Sequence, residues 1–371
     1  MTYRTQEGNQ LDVWGLPRNE LGIALDALDI GAHHSKRVFK FLHGSSPCLK
    51  SDLQFGPSNY LRLQHAIERP KSQSTSISQC DSGTQKIRFT LHDGLAIESV
   101  LIPRQNGRFT LCISSQVGCG MSCSFCATGT LGLKRQLTSA EIIRQFHEAK
   151  HLLRQRSERI SHVVFMGMGE PLQNYQSVKQ TIEILTDTCG PSLAAQRITV
   201  STVGIQEGIA RLAQDFDGRI QLALSLHAGT DQTRQRLIPL AKHVSMDDLK
   251  RAVERYPVPG SRRVMVEYVL LPGINDHPDE LSALAKWTHG LKCLVNFVPF
   301  NPFEGGGFRS PTADECRRAL NYLRVRDVPA TVRWPRGRSV DAACGQLALK
   351  HHQAAHAPLV QLKESSEALG R

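Results

Sequence analysis

The amino-acid sequence predicts an α/β fold: an open, partial (β/α)6 barrel with a small helical domain before it and a β-hairpin extension. Three observations lead there. Between residues 109 and 300, six strand-like segments alternate with helical patterns, and such alternation implies a parallel sheet with helices outside it. The segment KIRFTLHDGLAIESVLIP has two strand-like runs about Asp93-Gly94, which reads as a hairpin. The first 68 residues instead carry apolar positions at helical spacing.

In chain order, residues 1–68 are expected to form a helical accessory domain. In RNELGIALDALDIGAHHSKRVFKFLHG, Lys36, Arg37 and Lys40 sit beside Val38, Phe39, Phe41 and Leu42. A basic face of this kind meets either phosphates or water. Residues 69–84, RPKSQSTSISQCDSGT, are Ser- and Gln-rich and read as a linker. Residues 85–353 form the main domain. Its strands are FTLCISS (109–115), HVVFMGM (162–168), QRITVST (196–202), IQLALSL (220–226), RVMVEYVLL (263–271) and CLVNFVPF (293–300). Helical patterns fall at about 138–155, 174–187, 205–215, 246–255 and 277–289. Thr138 followed by Glu141 is a capping box for the first of them. Residues 354–371 read as a polar tail.

Of the 371 residues, 40% are hydrophobic, enough for a sizeable core. The N-terminal stretch has no basic patch followed by an apolar run, and no apolar stretch reaches the length of a membrane span. The expectation is a soluble, cytoplasmic protein. Ten cysteines are too sparse for a disulfide scaffold, and their clustering points to metal or redox chemistry in a reducing compartment. The net charge of +11 fits a polyanionic partner such as nucleic acid, and equally a need for solubility.

The densest cluster is CGMSCSFC, with Cys119, Cys123 and Cys126 in a C-x3-C-x2-C pattern. Closed structural zinc sites take four protein ligands, and His147 or a distant cysteine is a candidate fourth. A [4Fe–4S] cluster on three thiolates leaves one iron open, and an open iron can bind S-adenosylmethionine. The loop follows the first barrel strand, and barrel chemistry sits at the C-terminal ends of strands. Other candidate residues end later strands: Gly169 and Glu170 in GMGEP, Ser201 in ITVSTVG, Ser225 and His227 in LALSLHA, and Asn301 in FNPF. Singly, such residues are more often hydrogen-bonded structure than ligands. Together they converge on one mouth.

On these residues the chain resembles the radical SAM superfamily, and within it the RlmN/Cfr family of RNA adenosine methyltransferases, on the RlmN side. CISSQVGCGMSCSFCATGTLGLKRQLT, VVFMGMGEPLQNY, ITVSTVG, LALSLHA, FVPFNPF and DAACGQLA carry the resemblance in order, over roughly residues 85 to 350. The resemblance implies one [4Fe–4S] cluster per chain on Cys119, Cys123 and Cys126. It also implies S-adenosylmethionine held by Gly169, Glu170, Ser201, Ser225, Leu226, His227 and Asn301, two molecules being consumed per methylation. It implies an RNA substrate, large-subunit ribosomal RNA and/or tRNA, an electron donor such as flavodoxin or ferredoxin, and a monomer.

It further implies that Cys344 is first methylated. The methyl-thioether then loses a hydrogen to an adenosyl radical, and the carbon radical adds to an adenine ring carbon. Cys112 matches the thiol that resolves the crosslink through a transient disulfide, and Glu98 the carboxylate that takes the ring proton. Without the resemblance, Cys112 reads as a core strand residue, Glu98 as an exposed one, and Cys344 as a buried, inert thiol near the start of a C-terminal helical pattern. Cys48, Cys80, Cys189, Cys293 and Cys316 match no motif.

The chain departs from the family pattern in two places. One extra residue separates Glu98 from Cys112. Trp334-Pro335 and Arg338 stand where the pattern is more often polar and acidic. Trp334 reads as a base-stacking residue or as core. Arg333, Arg336 and Arg338, with Lys134 and Arg135, read as phosphate contacts. Methylation at carbon 2 is expected, with Arg336-Gly337 leaning that way; the Cfr-like alternative is carbon 8. Two rivals remain: a non-catalytic, zinc-stabilised RNA-binding protein, and a glycyl-radical activase. The second leaves Cys344 and Cys112 without a role.

Overall fold

The computed structural model describes residues 12–44, 50–66, 74–154 and 156–347. Cys48 and the expected tail at 354–371 lie outside the described residues. Three helices, α1 (Arg18–Ala27), α2 (Ser35–His43) and α3 (Pro57–Ala66), form the N-terminal region. In α2 the pattern resolves as expected: Val38, Phe39 and Leu42 are buried, while Lys36, Arg37 and Lys40 are exposed. This region packs on the outside of the main domain. Arg18 pairs with Asp187 at 3.0 Å, Lys150 donates to the Gly44 carbonyl, and His43 and His147 share a 3.0 Å hydrogen bond.

Twelve strands follow: β1 (Ser74–Gln79), β2 (Gln85–Thr90), β3 (Ala96–Pro103), β4 (Arg108–Cys112), β5 (Gln116–Gly118), β6 (Leu133–Gln136), β7 (Arg159–Phe165), β8 (Ile198–Thr202), β9 (Gln221–Ser225), β10 (Val264–Leu270), β11 (Cys293–Pro299) and β12 (Ala330–Val332). Among the described residues, ten of them form one sheet in the order β1-β2-β3-β4-β7-β8-β9-β10-β11-β12. β1 to β4 pair antiparallel, and β4 through β12 pair parallel. The sheet stays open, with β1 and β12 at its edges. All six barrel strands read from the sequence are present, and β12 adds a seventh parallel member.

The helices between them are α4 (Ala127–Thr130), α5 (Ser139–Arg154), α6 (Tyr175–Thr186), α7 (Gln206–Phe216), α8 (Asp231–Leu237), α9 (Met246–Arg255), α10 (Pro278–Thr288) and α11 (Ala313–Arg324). The capping box is real: Thr138 Oγ1 accepts from the Glu141 N–H and Glu141 Oε2 from the Thr138 N–H. The hairpin is also as expected. β2 and β3 pair from Gln85↔Leu101 to Thr90↔Ala96, and Gly94 turns with φ 79°.

The linker reading needs correction: Ser74–Gln79 form β1, paired along its length with β2. Its Ser and Gln side chains gave no apolar alternation, but an edge strand needs only backbone partners. The extra residue between Glu98 and Cys112 leaves the pairing intact. β3 and β4 keep register from Val100↔Cys112 to Pro103↔Phe109, and the turn between them holds Asn106 and Gly107 at positive φ.

Candidate active site at the C-terminal edge of the sheet

Strand register decides which side chains share the concave face. Cys112 pairs with Val100 and Val164, and Thr110 with Ile102 and His162. Ser225 pairs with Glu267, Glu267 with Asn296, and Asn296 with Thr331. Alternation puts Glu98, Cys112, Ser201, Ser225, Glu267 and Asn296 on one face. The sheet curls: Arg333, just after β12, donates from Nη1 to the Met166 sulfur, just after β7, at 3.8 Å.

The cysteine loop leaves this face through a narrow neck. β5 and β6 pair antiparallel, and the Cys119 N–H donates to the Gly132 carbonyl. Gly118 has φ 75°, and a Cβ there would lie 1.9 Å from the Gly132 oxygen, so only glycine closes the neck. Ser122 also takes positive φ, and the Cys126 N–H closes back onto the Cys123 carbonyl. Cys119 and Cys123 are buried, in an apolar group with Met121, Val203, Leu237, Ile238 and Phe300; Cys126 is half-buried beside it. Burial pushes the Cys119 thiol up to about 12 and those of Cys123 and Cys126 upward too. Cys126 acts electrostatically on Cys119, and both act on Cys123.

Among the described residues, no three His, Cys, Asp or Glu side chains converge as the ligands of one ion do. A cubane asks for one thiolate per iron instead, and three clustered thiols in a dry loop fit that better than a four-ligand zinc site. Buried neutral thiols also couple metal uptake to proton release.

The strand-end residues surround this loop. Gly169 has φ 104°, and a Cβ there would stand 2.6 Å from Gln116 Cβ. Glu170 is buried; Oε1 accepts from the Leu172 N–H and Oε2 from the Val203 N–H. Burial still pushes its carboxyl up to about 7. Ser201 Oγ and Ser225 Oγ lie 3.2 Å apart. Leu226 is fully buried, and its N–H donates to the Glu267 carbonyl. His227 Nδ1 accepts from the Val269 N–H, its ring meets Phe125 of the cysteine loop edge-on at 4.6 Å, and burial holds it down to about 3. It is therefore neutral near pH 7.

Cys344 stands against the far end of the same loop. It lies in a turn, not in a helix as the sequence indicated, and it is exposed. The Ala127 N–H, next to Cys126, donates to the Gly345 carbonyl, and Thr128 Oγ1 donates to the Leu347 carbonyl. Asn301 Nδ2 donates to the carbonyl of Cys344 itself. Cys344 acts electrostatically on Cys126 and on Cys112. Cys112 is buried at the end of β4; burial, then Cys344, push its thiol up to about 12, and Arg333 opposes this. All nine cysteines among the described residues are free thiols.

A cleft of about 630 Å³ opens on Cys344. Thr110, Val298, Asn301 and Arg333 line it, and Arg104, Arg108, Trp334 and Arg336 rim it. Trp334 is 55% exposed, which rules out the core reading. Two expectations about charge change. Arg333 turns inward, toward Cys344, Glu267 and Cys112. Arg135 is committed to Asp93 at 2.6 Å and to both Glu141 oxygens at 2.8 Å, so it pins the hairpin turn to α5. Lys134 and Arg336 are exposed.

Glu98 is not the exposed strand residue of the simpler reading. It is 1% exposed, and Lys86 Nζ stands 3.2 Å from its carboxylate. It shares the concave face with Cys112 but does not line the cleft. Lys86, Arg234 and Glu267 are inward-facing ionisable groups that sequence reasoning missed. A lysine in a hairpin strand gives no local sign that it faces inward, and α8, which carries Arg234, gave no periodic signal in seven residues.

An open parallel sheet with a three-thiol loop after its first parallel strand defines a radical SAM protein. The Radical SAM superfamily profile matches residues 113–285. A radical SAM methyltransferase from Sphaerobacter thermophilus superposes with a TM-score of 0.82 at 37% identity, over 91% of this chain and 99% of that one. Two curated proteins, each named dual-specificity RNA methyltransferase RlmN, align closely. The one from Geobacter sulfurreducens is 38% identical, over 91% of this chain and 92% of its own length. The one from Syntrophobacter fumaroxidans is 40% identical, over 78% and 84%. The chain belongs to the RlmN family of radical SAM RNA methyltransferases. Membership brings a [4Fe–4S] cluster, S-adenosylmethionine and an RNA substrate, and it removes the binding-module and activase rivals.

Proposed function

We propose that this enzyme methylates carbon 2 of an adenosine in large-subunit ribosomal RNA or tRNA, through a methyl group carried on Cys344. The observation that carries the reading is the attachment of the Cys344 turn to the cysteine loop by Ala127 and Thr128, with Cys112 close enough to act on it.

Cys119, Cys123 and Cys126 hold the cluster. Held there together with S-adenosylmethionine, the cluster would supply a hydrogen-abstracting radical. Glu170 receives the cosubstrate's amino group: a buried carboxyl near neutrality gains most from an incoming ammonium. Gly169, Ser201, Ser225, Leu226, His227 and Asn301 shape the rest of that pocket. Asn301 also fixes the Cys344 carbonyl, which keeps the sulfur at the mouth. The cationic cleft receives RNA with the target base out of its stack, Trp334 and Arg336 at the rim, and exposed Lys36, Arg37 and Lys40 of the N-terminal domain extending the contact.

Cys112 ends the cycle. Its sulfur attacks Cys344, an S–S bond forms as the sulfur–methylene bond breaks, and the electron pair leaves with the base. The methylene carbon takes up the proton that Cys112 gives up and becomes the methyl group, and a cellular dithiol reductant returns both cysteines to thiols. Glu98, held by Lys86, takes the ring proton. A one-electron donor such as flavodoxin or ferredoxin would supply the reducing equivalents. Thiol ligation and free cysteines require a reducing compartment, the cytoplasm.

The test is nucleoside analysis. RNA from a deletion strain is incubated with reconstituted enzyme, a reductant and S-adenosylmethionine. The expected product is 2-methyladenosine; 8-methyladenosine, or methylation on nitrogen or ribose, contradicts the proposal.

A further inference from the structure

Among the described residues, Arg234 is the largest fully buried side chain, 1% exposed. It lies on α8, whose C-terminal end packs on the cysteine loop: the Ser124 N–H donates to the Leu237 carbonyl. Its guanidinium donates from Nη2 to the Val203 carbonyl at 2.5 Å and from Nε to the Leu226 carbonyl at 3.3 Å. Neither acceptor carries a formal charge. None of the ion pairs among the described residues includes Arg234. Asp231, which acts on it more weakly than Cys123 does, accepts instead from the Met246 N–H.

A buried cation without an anion is costly and persists where an anion is to arrive. The ionisable group that acts on it most strongly is Cys123: each influences the other, and Val203, whose carbonyl holds Arg234, packs with Cys119 and Cys123. The Val203 N–H also holds Glu170, so the backbone of one residue ties the guanidinium to the cosubstrate wall.

We propose that Arg234 is the internal counter-charge of the iron–sulfur cluster, and that it raises the cluster's reduction potential. Three thiolates and the inorganic sulfides give the cluster a negative charge that grows by one on reduction, and nearby net charge and hydrogen bonding set cluster potentials. A fixed guanidinium in a dry loop favours the more negative, reduced form. Arg234 acts through the cluster and touches no substrate, so it is a positioning residue for charge.

The inference rests on reading the Cys119 loop as a cluster site, and one experiment separates the two. Wild type, Arg234→Gln, Arg234→Lys and the exposed control Arg236→Gln are reconstituted anaerobically, assayed for iron and sulfide, and titrated with dithionite under electron paramagnetic resonance. Arg234→Gln keeps an N–H donor and loses the charge. Its midpoint potential is expected to fall by about 59 mV, a tenfold shift in a one-electron equilibrium. Arg234→Lys should stay near wild type, and Arg236→Gln should not move. Iron absent from the wild type overturns the cluster reading itself. A wild-type potential in Arg234→Gln, a Lys variant as low as the Gln variant, or loss of cooperative melting in Arg234→Gln apo-protein each overturns the counter-charge proposal alone.

Discussion

The cysteine loop and the Cys344 turn are hydrogen-bonded neighbours built in opposite ways. The loop buries Cys119 and Cys123 among Met121, Val203, Leu237, Ile238 and Phe300, and its neck admits only glycine at position 118. The turn leaves Cys344 exposed in a cleft rimmed by arginines and Trp334. A radical survives where water and stray hydrogen donors are excluded. A polyanion docks where cations and an aromatic face are reachable. Cys344 stands on the seam, held by Asn301 from one side and by Ala127 through Gly345 from the other. The contrast teaches how, in the proposed cycle, one thiol serves both regions: only its backbone is fixed to the dry one.

The largest expected effect comes from breaking each region in turn. Cys126→Ala should lose both iron and methylation, to background. Cys344→Ala should lose methylation as completely and keep its iron. Iron loss in both variants would mean the two regions are one structural unit.

Next is the buried Lys86–Glu98 pair on the concave face. Removing one partner of a buried pair costs about 3–5 kcal/mol. Lys86→Met apo-protein should lose that much in urea unfolding, and Lys86→Met/Glu98→Gln should recover most of it. Equal losses in the single and double variants would show that the pair does not couple.

Glu170 gives a pH signature of the dry side. Its folded pKa of about 7 lies above the ordinary 4.5. The folded state therefore favours the protonated form, and stability falls as pH rises through this window, by about 3 kcal/mol in full. Glu170→Gln apo-protein carries no such penalty. It should gain on wild type between pH 5 and 8 in urea unfolding, and a pH-independent difference would place Glu170 in water.

The wet side gives the smallest effects. Trp334→Ala should weaken RNA binding by about 1–3 kcal/mol without lowering the melting temperature. Arg336→Ala should reduce the salt slope of binding by about one. A drop in melting temperature for Trp334→Ala would show that the residue packs in the apo-protein.

The same contrast marks what the sequence could reveal. Local pattern was legible: the six barrel strands, the Asp93-Gly94 hairpin, the Thr138–Glu141 box and the cysteine spacing all depend on neighbours in the chain. Ser245 with Asp248 and Thr312 with Glu315 form further capping boxes, at the starts of α9 and α11, and SMDD and TADE carry the same local signal. β1 hid because STSISQ has little apolar alternation, and β12 because it has three residues. Partnerships across the sheet were not legible. Nothing local says that Lys86 faces inward to Glu98, that Arg333 turns away from solvent, or that Arg234 is buried within electrostatic reach of Cys123. Burial of charge is decided by what the fold brings opposite.

The most direct test of the account is intact mass. Anaerobically reconstituted wild type and Cys344→Ala are incubated with S-adenosylmethionine, without RNA, and compared with Cys112→Ala. The account predicts about four irons per chain in all three, with one methyl increment in wild type and Cys112→Ala and none in Cys344→Ala. A methyl group that persists in Cys344→Ala, or never appears on a wild-type chain carrying its iron, would contradict it.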